Sequence, residues 1–117
     1  MLTHAKEGTC SIEDVVRWMS SSVADCFNMV GKGRLEEGAD GDVVLVDMHN
    51  ARTVMDEHTW TRVGWSPFAG KELVGWAQVT VVGGVPVFER NAKTGPKGTI
   101  LVEPGAAGEA LVMTPWR

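Results

Sequence analysis

Apolar positions along the first third of the chain recur at helical spacing, and after about residue 40 they give way to short continuous runs. Ile12, Val15, Val16, Met19, Val23 and Phe27 fall on one helical face, with Glu13, Arg17 and Ser20 on the other. Ser11 is a good N-cap, and Asp14 three residues on completes a capping-box pattern. Ser22 with Asp25 repeats that pattern after a Ser20-Ser21-Ser22 interruption, so the spacing predicts two helices, 12–20 and 23–29, with a kink between them. Gly8 ends any turn of helix formed by Leu2 to Glu7, and Gly31 and Gly33 end the helical part.

The stretch from Gly33 to Asp47, G-R-L-E-E-G-A-D-G-D-V-V-L-V-D, joins turns to a strand. Gly38 and Gly41 with Asp40 and Asp42 supply the turns, and Val43–Asp47 is a β-branched apolar run expected to be the central strand. A turn at His49–Ala51, a short strand at Arg52–Met55 and one helical turn from Asp56 to Trp60 follow. A loop at Gly64–Gly70 leads to the longest strand candidate, Leu73 to Val82. Gly83-Gly84 before Val85-Pro86-Val87-Phe88 is a two-residue hairpin signal. Pro86 cannot donate to a ladder, so its strand lies at an edge or turns that side outward. A polar linker at 91–98 precedes two short strands, Thr99–Glu103 and Ala110–Thr114, around a Pro104–Gly108 turn. The fold class expected is mainly β with N-terminal helices, a small antiparallel sheet or half-sandwich. It divides into a helical segment at 1–32 and a β domain at 33–117, the latter holding the hairpin 73–89 and a tail 91–117.

Length and charge narrow the function classes. The 117 residues make one ordinary domain, and a formal charge of −4 without a basic run gives no support to nucleic-acid or membrane-surface binding. No apolar run approaches the roughly 20 residues that span a bilayer. The opening residues lack the order of a signal peptide, so a cytoplasmic location is expected. Cys10 and Cys26 make no disulfide framework and read as reduced thiols, Cys26 as a small buried hydrophobe near the apolar helix face.

Catalytic and metal signals are weak. His4, His49 and His58 have no metal-ligand spacing. Asp40-Gly41-Asp42 resembles the start of a calcium loop but lacks the bidentate Glu at the twelfth position. Ser20, Ser21 and Ser22 have no G-x-S-x-G elbow, the glycines form no phosphate cradle, and Glu36-Glu37 reads as a solvated turn. Trp65 and Phe68 suit burial over a small sheet better than a pocket. The residues therefore assemble no catalytic, cofactor-binding or metal site.

One resemblance does emerge. Gly33–Asp47 is similar to the signature G-x-[IL]-x-x-G-x-D-A-D-[LV]-V-[LV]-[VLF]-D that follows the barrel in cyclic amidohydrolases, with Gly41 where Ala is usual. Ser11–Val30 resembles the closing barrel helix and the helix after it. The G-W-S-P-F-A-G loop at Gly64–Gly70 and the hairpin through Phe88 narrow the match to the dihydroorotases and near relatives, over about residues 2–90. Glu109-Ala110-Leu111 echoes the family's last strand. The usual N-P-A-R of the second helix reads here as Ser22-Val23-Ala24-Asp25, which suggests drift or a changed partner surface.

The resemblance implies a C-terminal segment of a dihydroorotase-like enzyme of the pyrimidine pathway. The parent fold is a metal-dependent (β/α)8 barrel of about 250 residues with a small composite β domain. In such a parent, zinc-activated hydroxide attacks a cyclic amide carbonyl while an Asp shuttles the proton. The family's H-x-H, carboxylated Lys, two further His and catalytic Asp would all precede Met1, and no residue here matches them. Zinc is thus expected only in a full-length parent, and the segment alone is expected to be inactive. Its expected partners are a second copy of itself, as a dimer, or the missing barrel portion. The alternative is a free-standing, non-catalytic binding or assembly module derived from the same β unit.

Overall fold

The computed structural model describes residues 1–103. The expected strand at Ala110–Thr114 and the Pro104–Gly108 turn lie outside them. Within them the chain is mainly β after N-terminal helices, as the apolar pattern requires.

Three helical segments open the chain: α1 (Leu2–Lys6), α2 (Ile12–Val16) and α3 (Ser22–Cys26). Ser11 caps α2 as its sequence predicts. Its hydroxyl accepts the Asp14 N–H at 3.0 Å, and the Asp14 carboxylate accepts the Ser11 N–H at 3.2 Å. The expected second cap does not form. Arg17–Ser21 instead makes one π-helical turn between α2 and α3, so the rod continues through the three serines without a break. Ser22 sits inside α3, and Asp25 is drawn away to Arg34, whose Nη2 donates to both carboxylate oxygens at 2.7 and 2.9 Å. The rod also stops earlier than residue 29. Asn28 enters the left-handed region at φ 53°, and the Met29 N–H closes back on the Ala24 carbonyl at 2.8 Å. That six-to-one bond satisfies a terminal carbonyl and ends the helix.

The main sheet has four antiparallel strands in the order β1 (Val43–Asp47), β4 (Trp76–Val82), β5 (Val85–Glu89), β6 (Thr99–Ile100). A second, two-stranded sheet pairs β2 (Arg52–Thr53) with β3 (Glu72–Leu73). The hairpin falls where the glycines placed it: Val82 faces Val85, and Gly83 and Gly84 take φ of 56° and 81°. Two successive positive φ angles match the right-handed twist of the flanking strands, and glycine adopts them without a Cβ penalty.

Two strand expectations need correction. Val43–Asp47 is an edge strand, because β5 is bound to one side of β4 by the hairpin and β1 takes the other side. Its Val44 and Leu45 are 53% and 57% exposed. The continuous strand expected over 73–82 is divided between β3 and β4. At the break the Gly75 N–H donates to the Asp47 carbonyl, and Trp76 Nε1 donates to the Leu73 carbonyl at 2.6 Å. Thr3 fastens α1 to the same corner by accepting the Val74 N–H at 3.2 Å. Pro86 behaves as expected in part. β6 pairs with β5 at Phe88 and Glu89, and the Leu101 N–H reaches the Val87 carbonyl at 2.9 Å, so the edge stays open at Val85 and Pro86.

The core is thin. Among the described residues the buried hydrophobic side chains are Val15 and Ala24, joined by one buried charge, Arg90, at 8% exposure. Large apolar side chains remain in water on the helical rod and on β1, including Val16, Met19, Val23 and Val46.

Candidate interaction surface

Helix and sheet leave a groove between them with a volume of about 1290 Å³. Val15, Val16, Met19 and Val23 line it from the rod, and Val44 and Val46 line it from β1. The helical periodicity of the sequence aims the first set at this groove, and strand alternation explains the second. The surrounding links are polar. Lys32 bridges Asp40 and Asp42, and Asp42 Oδ1 accepts the Gly83 N–H at 2.8 Å. The hydrogen bond from Lys32 is the main reason that the Asp42 carboxyl lies below the usual carboxylate range, with the Gly83 amide adding to it. The acidic turn therefore serves as a bracket tying the start of β1 to the hairpin. A contiguous apolar face of this kind normally meets another protein surface.

A second cleft, of about 700 Å³, opens beside the two-stranded sheet. Asp47, Asn50, Arg52, His58, Trp76 and Gln78 contribute to its wall. Asp47 is fully engaged at its rim. Its carboxylate accepts the Asn50 side-chain amide at 2.8 Å and the backbone N–H groups of His49 and Asn50 at 2.9 and 3.1 Å. These bonds, the Asn50 side chain first, pull the Asp47 pKa down to about 2.

A depressed folded-state pKa gives a stabilisation that is complete above the ordinary carboxylate value of 3.8 and fades as pH falls through about 2. Melting temperatures of the wild type and Asp47→Asn should therefore differ most at pH 6 and converge toward pH 2. A gap of constant size across that range would mean that the Asp47 charge is not what orders the His49–Asn50 turn. Asp14 and Asp42 are lowered too, but they titrate alike in both proteins and cancel in the difference.

The residues singled out in the sequence are scattered. His4 Nδ1 meets Glu7 at 3.3 Å, the His49 carbonyl accepts from Lys6, and His58 lies 4.0 Å from Glu57. Among the described residues no group of three or more His, Cys, Asp or Glu side chains could hold a metal ion. Cys26 is exposed rather than buried, because the rod turns that position to solvent. Trp65 and Phe68 are also exposed, at 57% and 52%, rather than buried over the sheet, and Phe68 lies in the wall of the apolar groove. Ser20 donates to the Gly33 carbonyl at 3.2 Å, a structural tie. Glu36 and Glu37 are exposed on their turn. No helix among the described residues is long and apolar enough to cross a membrane.

Sequence patterning overlooked Arg90. Its Nη1 donates to the Ala77 carbonyl at 2.9 Å, and its guanidinium lies 5.2 Å from the ring centres of both Trp76 and Phe88. Burial, with the Arg52 charge nearby, pushes its pKa below the usual arginine value. A lone Arg after a strand gives no periodic signal, and only the chain's return beside β4 brings it under those rings.

No family model matches the chain. Individual proteins do. It is 37% identical to a dihydroorotase of Halalkalibacterium halodurans over 90 residues, covering 76% of the chain and 21% of that protein. A dihydroorotase of Pyrococcus horikoshii is 33% identical over 108 residues, covering 92% of the chain and 26% of the relative. One from Anoxybacillus flavithermus is 34% identical over 92 residues, 77% of the chain and 21% of the relative. The chain thus spans between a fifth and about a quarter of the length of these relatives.

Proposed function

From the premise that the chain is a dihydroorotase-like segment, similar to those enzymes over a fifth to a quarter of their length, we propose that it is a non-catalytic C-terminal scaffold. The reaction of the parent would be hydrolysis of a cyclic amide C–N bond, carried out by residues outside this segment. The observation that carries the reading is the open groove between rod and β1. It presents Val16, Met19, Val23 and Val46 to solvent, a liability that a covering surface would remove. The side chains present do not fit a zinc site, since the described residues group no three metal donors, and no chemical step is assigned to them.

The test has two parts. The purified chain should release no product from dihydroorotate and keep no stoichiometric zinc after dialysis. Turnover that His49→Ala or His58→Ala abolishes would overturn the scaffold reading. In the absence of a barrel portion, the same groove favours a dimer of the chain through one self-complementary contact. Light scattering across a dilution series should show a species of twice 12.6 kDa that dissociates on dilution. Val16→Lys with Val46→Lys should shift it to monomer while changing stability by about 1 kcal/mol, because the two side chains are already 53% and 38% exposed. A double variant that still dimerises would place the contact elsewhere.

A further inference from the structure

β1 is open along its edge and on both faces. Among the described residues no strand lies on its outer side, because the sheet order begins with β1. Val44 and Val46 line the apolar groove, and strand alternation turns Leu45 to the opposite face, where it is 57% exposed. A surface laid into the groove can cover Val44 and Val46 but not Leu45. A neighbouring strand covers both flanks, and it also pairs the backbone N–H and C=O groups of β1 that point away from β4. The chain carries a segment suited to that place. Residues 104–117, outside the described part, read P-G-A-A-G-E-A-L-V-M-T-P-W-R. The run A-L-V-M-T at 110–114 has the five-residue length of Val43–Asp47, and Pro115, with no N–H to donate, follows it.

The described chain also ends in the right place. β6 runs antiparallel to β5, and the Leu101 N–H reaches the Val87 carbonyl, so Glu103 points toward the Gly83-Gly84 end of the sheet. β1 begins at that same end, where the Gly84 N–H donates to the Gly41 carbonyl at 2.9 Å. From β6 to the outer side of β1 is four strand spacings, about 19 Å at roughly 4.8 Å each. The seven residue steps from Glu103 to Ala110 reach about 23 Å when extended. We propose that residues 110–114 of the chain's own tail pair with the open edge of β1 as a fifth strand, parallel to it. The direction follows from the geometry, since the tail sets out from the end where β1 starts. Ala110 beside Val43 brings Val112 next to Leu45, and Leu111 and Met113 next to Val44 and Val46. The groove itself stays open, so the inference does not rest on the scaffold reading.

Amide hydrogen exchange of the full 117-residue chain is the first test. With the edge paired, the β1 amides on both sides of the strand should exchange slowly. Val112→Pro, which disrupts a strand from inside, should speed those pointing away from β4 at least about tenfold and leave those bonded to β4 unchanged. The second test is a disulfide. With Cys10→Ser and Cys26→Ser in place, Leu45→Cys and Val112→Cys should link within one chain on mild oxidation, because neighbouring strands hold Cα atoms at a separation that a disulfide spans. Ile100→Cys with Val112→Cys, at the opposite edge of the sheet, should not link. Loss of the dimer would leave both readouts in place, which keeps the two readings apart. Fast exchange of the outward β1 amides in the wild type, or rates that Val112→Pro leaves alone, would overturn the proposal. A disulfide found between chains would overturn it too, by making a second copy's tail the occupant.

Discussion

Gly33→Val should lower the stability of the fold by about 2–5 kcal/mol. Two penalties add. Gly33 holds φ at 77°, where an L-residue costs about 1–2 kcal/mol and a β-branched one is a severe outlier. A Cβ at this position would also lie 2.7 Å from the Ala24 Cβ and 2.9 Å from the Ser20 carbonyl oxygen. Neither neighbour can yield cheaply. Ala24 is one of the two buried apolar side chains described, and Ser20 belongs to the π turn of the rod. Such overpacking adds about 1–3 kcal/mol. Gly38→Ala is the control, since Gly38 also has positive φ, at 88°, but open space around it. Its loss should stay near the backbone cost of about 1 kcal/mol. With a total stability of about 5–15 kcal/mol, urea melts of the two variants should separate plainly. Equal losses would show that the rod does not pack against this turn.

Arg90→Ala should cost about 3 kcal/mol, whereas Arg90→Met should cost less than about half of that. Alanine removes the guanidinium that lies over Trp76 and Phe88, the donor to the Ala77 carbonyl and the stem that carries both, and it opens a cavity in a core that can spare little. Methionine keeps most of the stem. It also relieves the desolvation of a buried charge that has no counter-ion among the described residues, which offsets the lost hydrogen bond and the ring contacts. Thermal melts of the three proteins decide the matter. Equal losses for both variants would mean that the guanidinium, not the stem, holds the strand end in place.

Much of this architecture was legible in the residues themselves. Ser11 and Asp14 announce their capping box, and Gly83-Gly84 between two β-branched runs announces its hairpin, because both signals are local. What escaped depends on distant segments. Val43–Asp47 reads as a central strand from its apolarity, yet strand order is settled by which side of β4 the hairpin leaves free. Ser22 and Asp25 have the spacing of a cap, but a helix already running through them and the pull of Arg34 override it. The groove was half visible, since the helical stripe shows one wall and nothing in the sequence places β1 opposite. The cleft was not visible at all: Arg52, Gln78 and the Arg90 neighbourhood come from three separate strands and strand ends, and no spacing rule connects them.

The strand order also sets a sequence of events in folding. β4 and β5 are joined by two residues and can find each other in microseconds. β1 must close the far longer segment 48–75 to reach the other side of β4, a loop whose extra entropy amounts to about 2 kcal/mol. Of the two pairings the arrival of β1 is then the slower, made harder by a groove face that contributes little burial when it lands. A chain emerging from the ribosome would hold β1 unpaired until β4 has been synthesised, with Val43-Val44-Leu45-Val46 waiting in the open. Asp42 and Asp47 bracket that run, and flanking charges of this kind disfavour pairing with its copies on neighbouring chains during the wait.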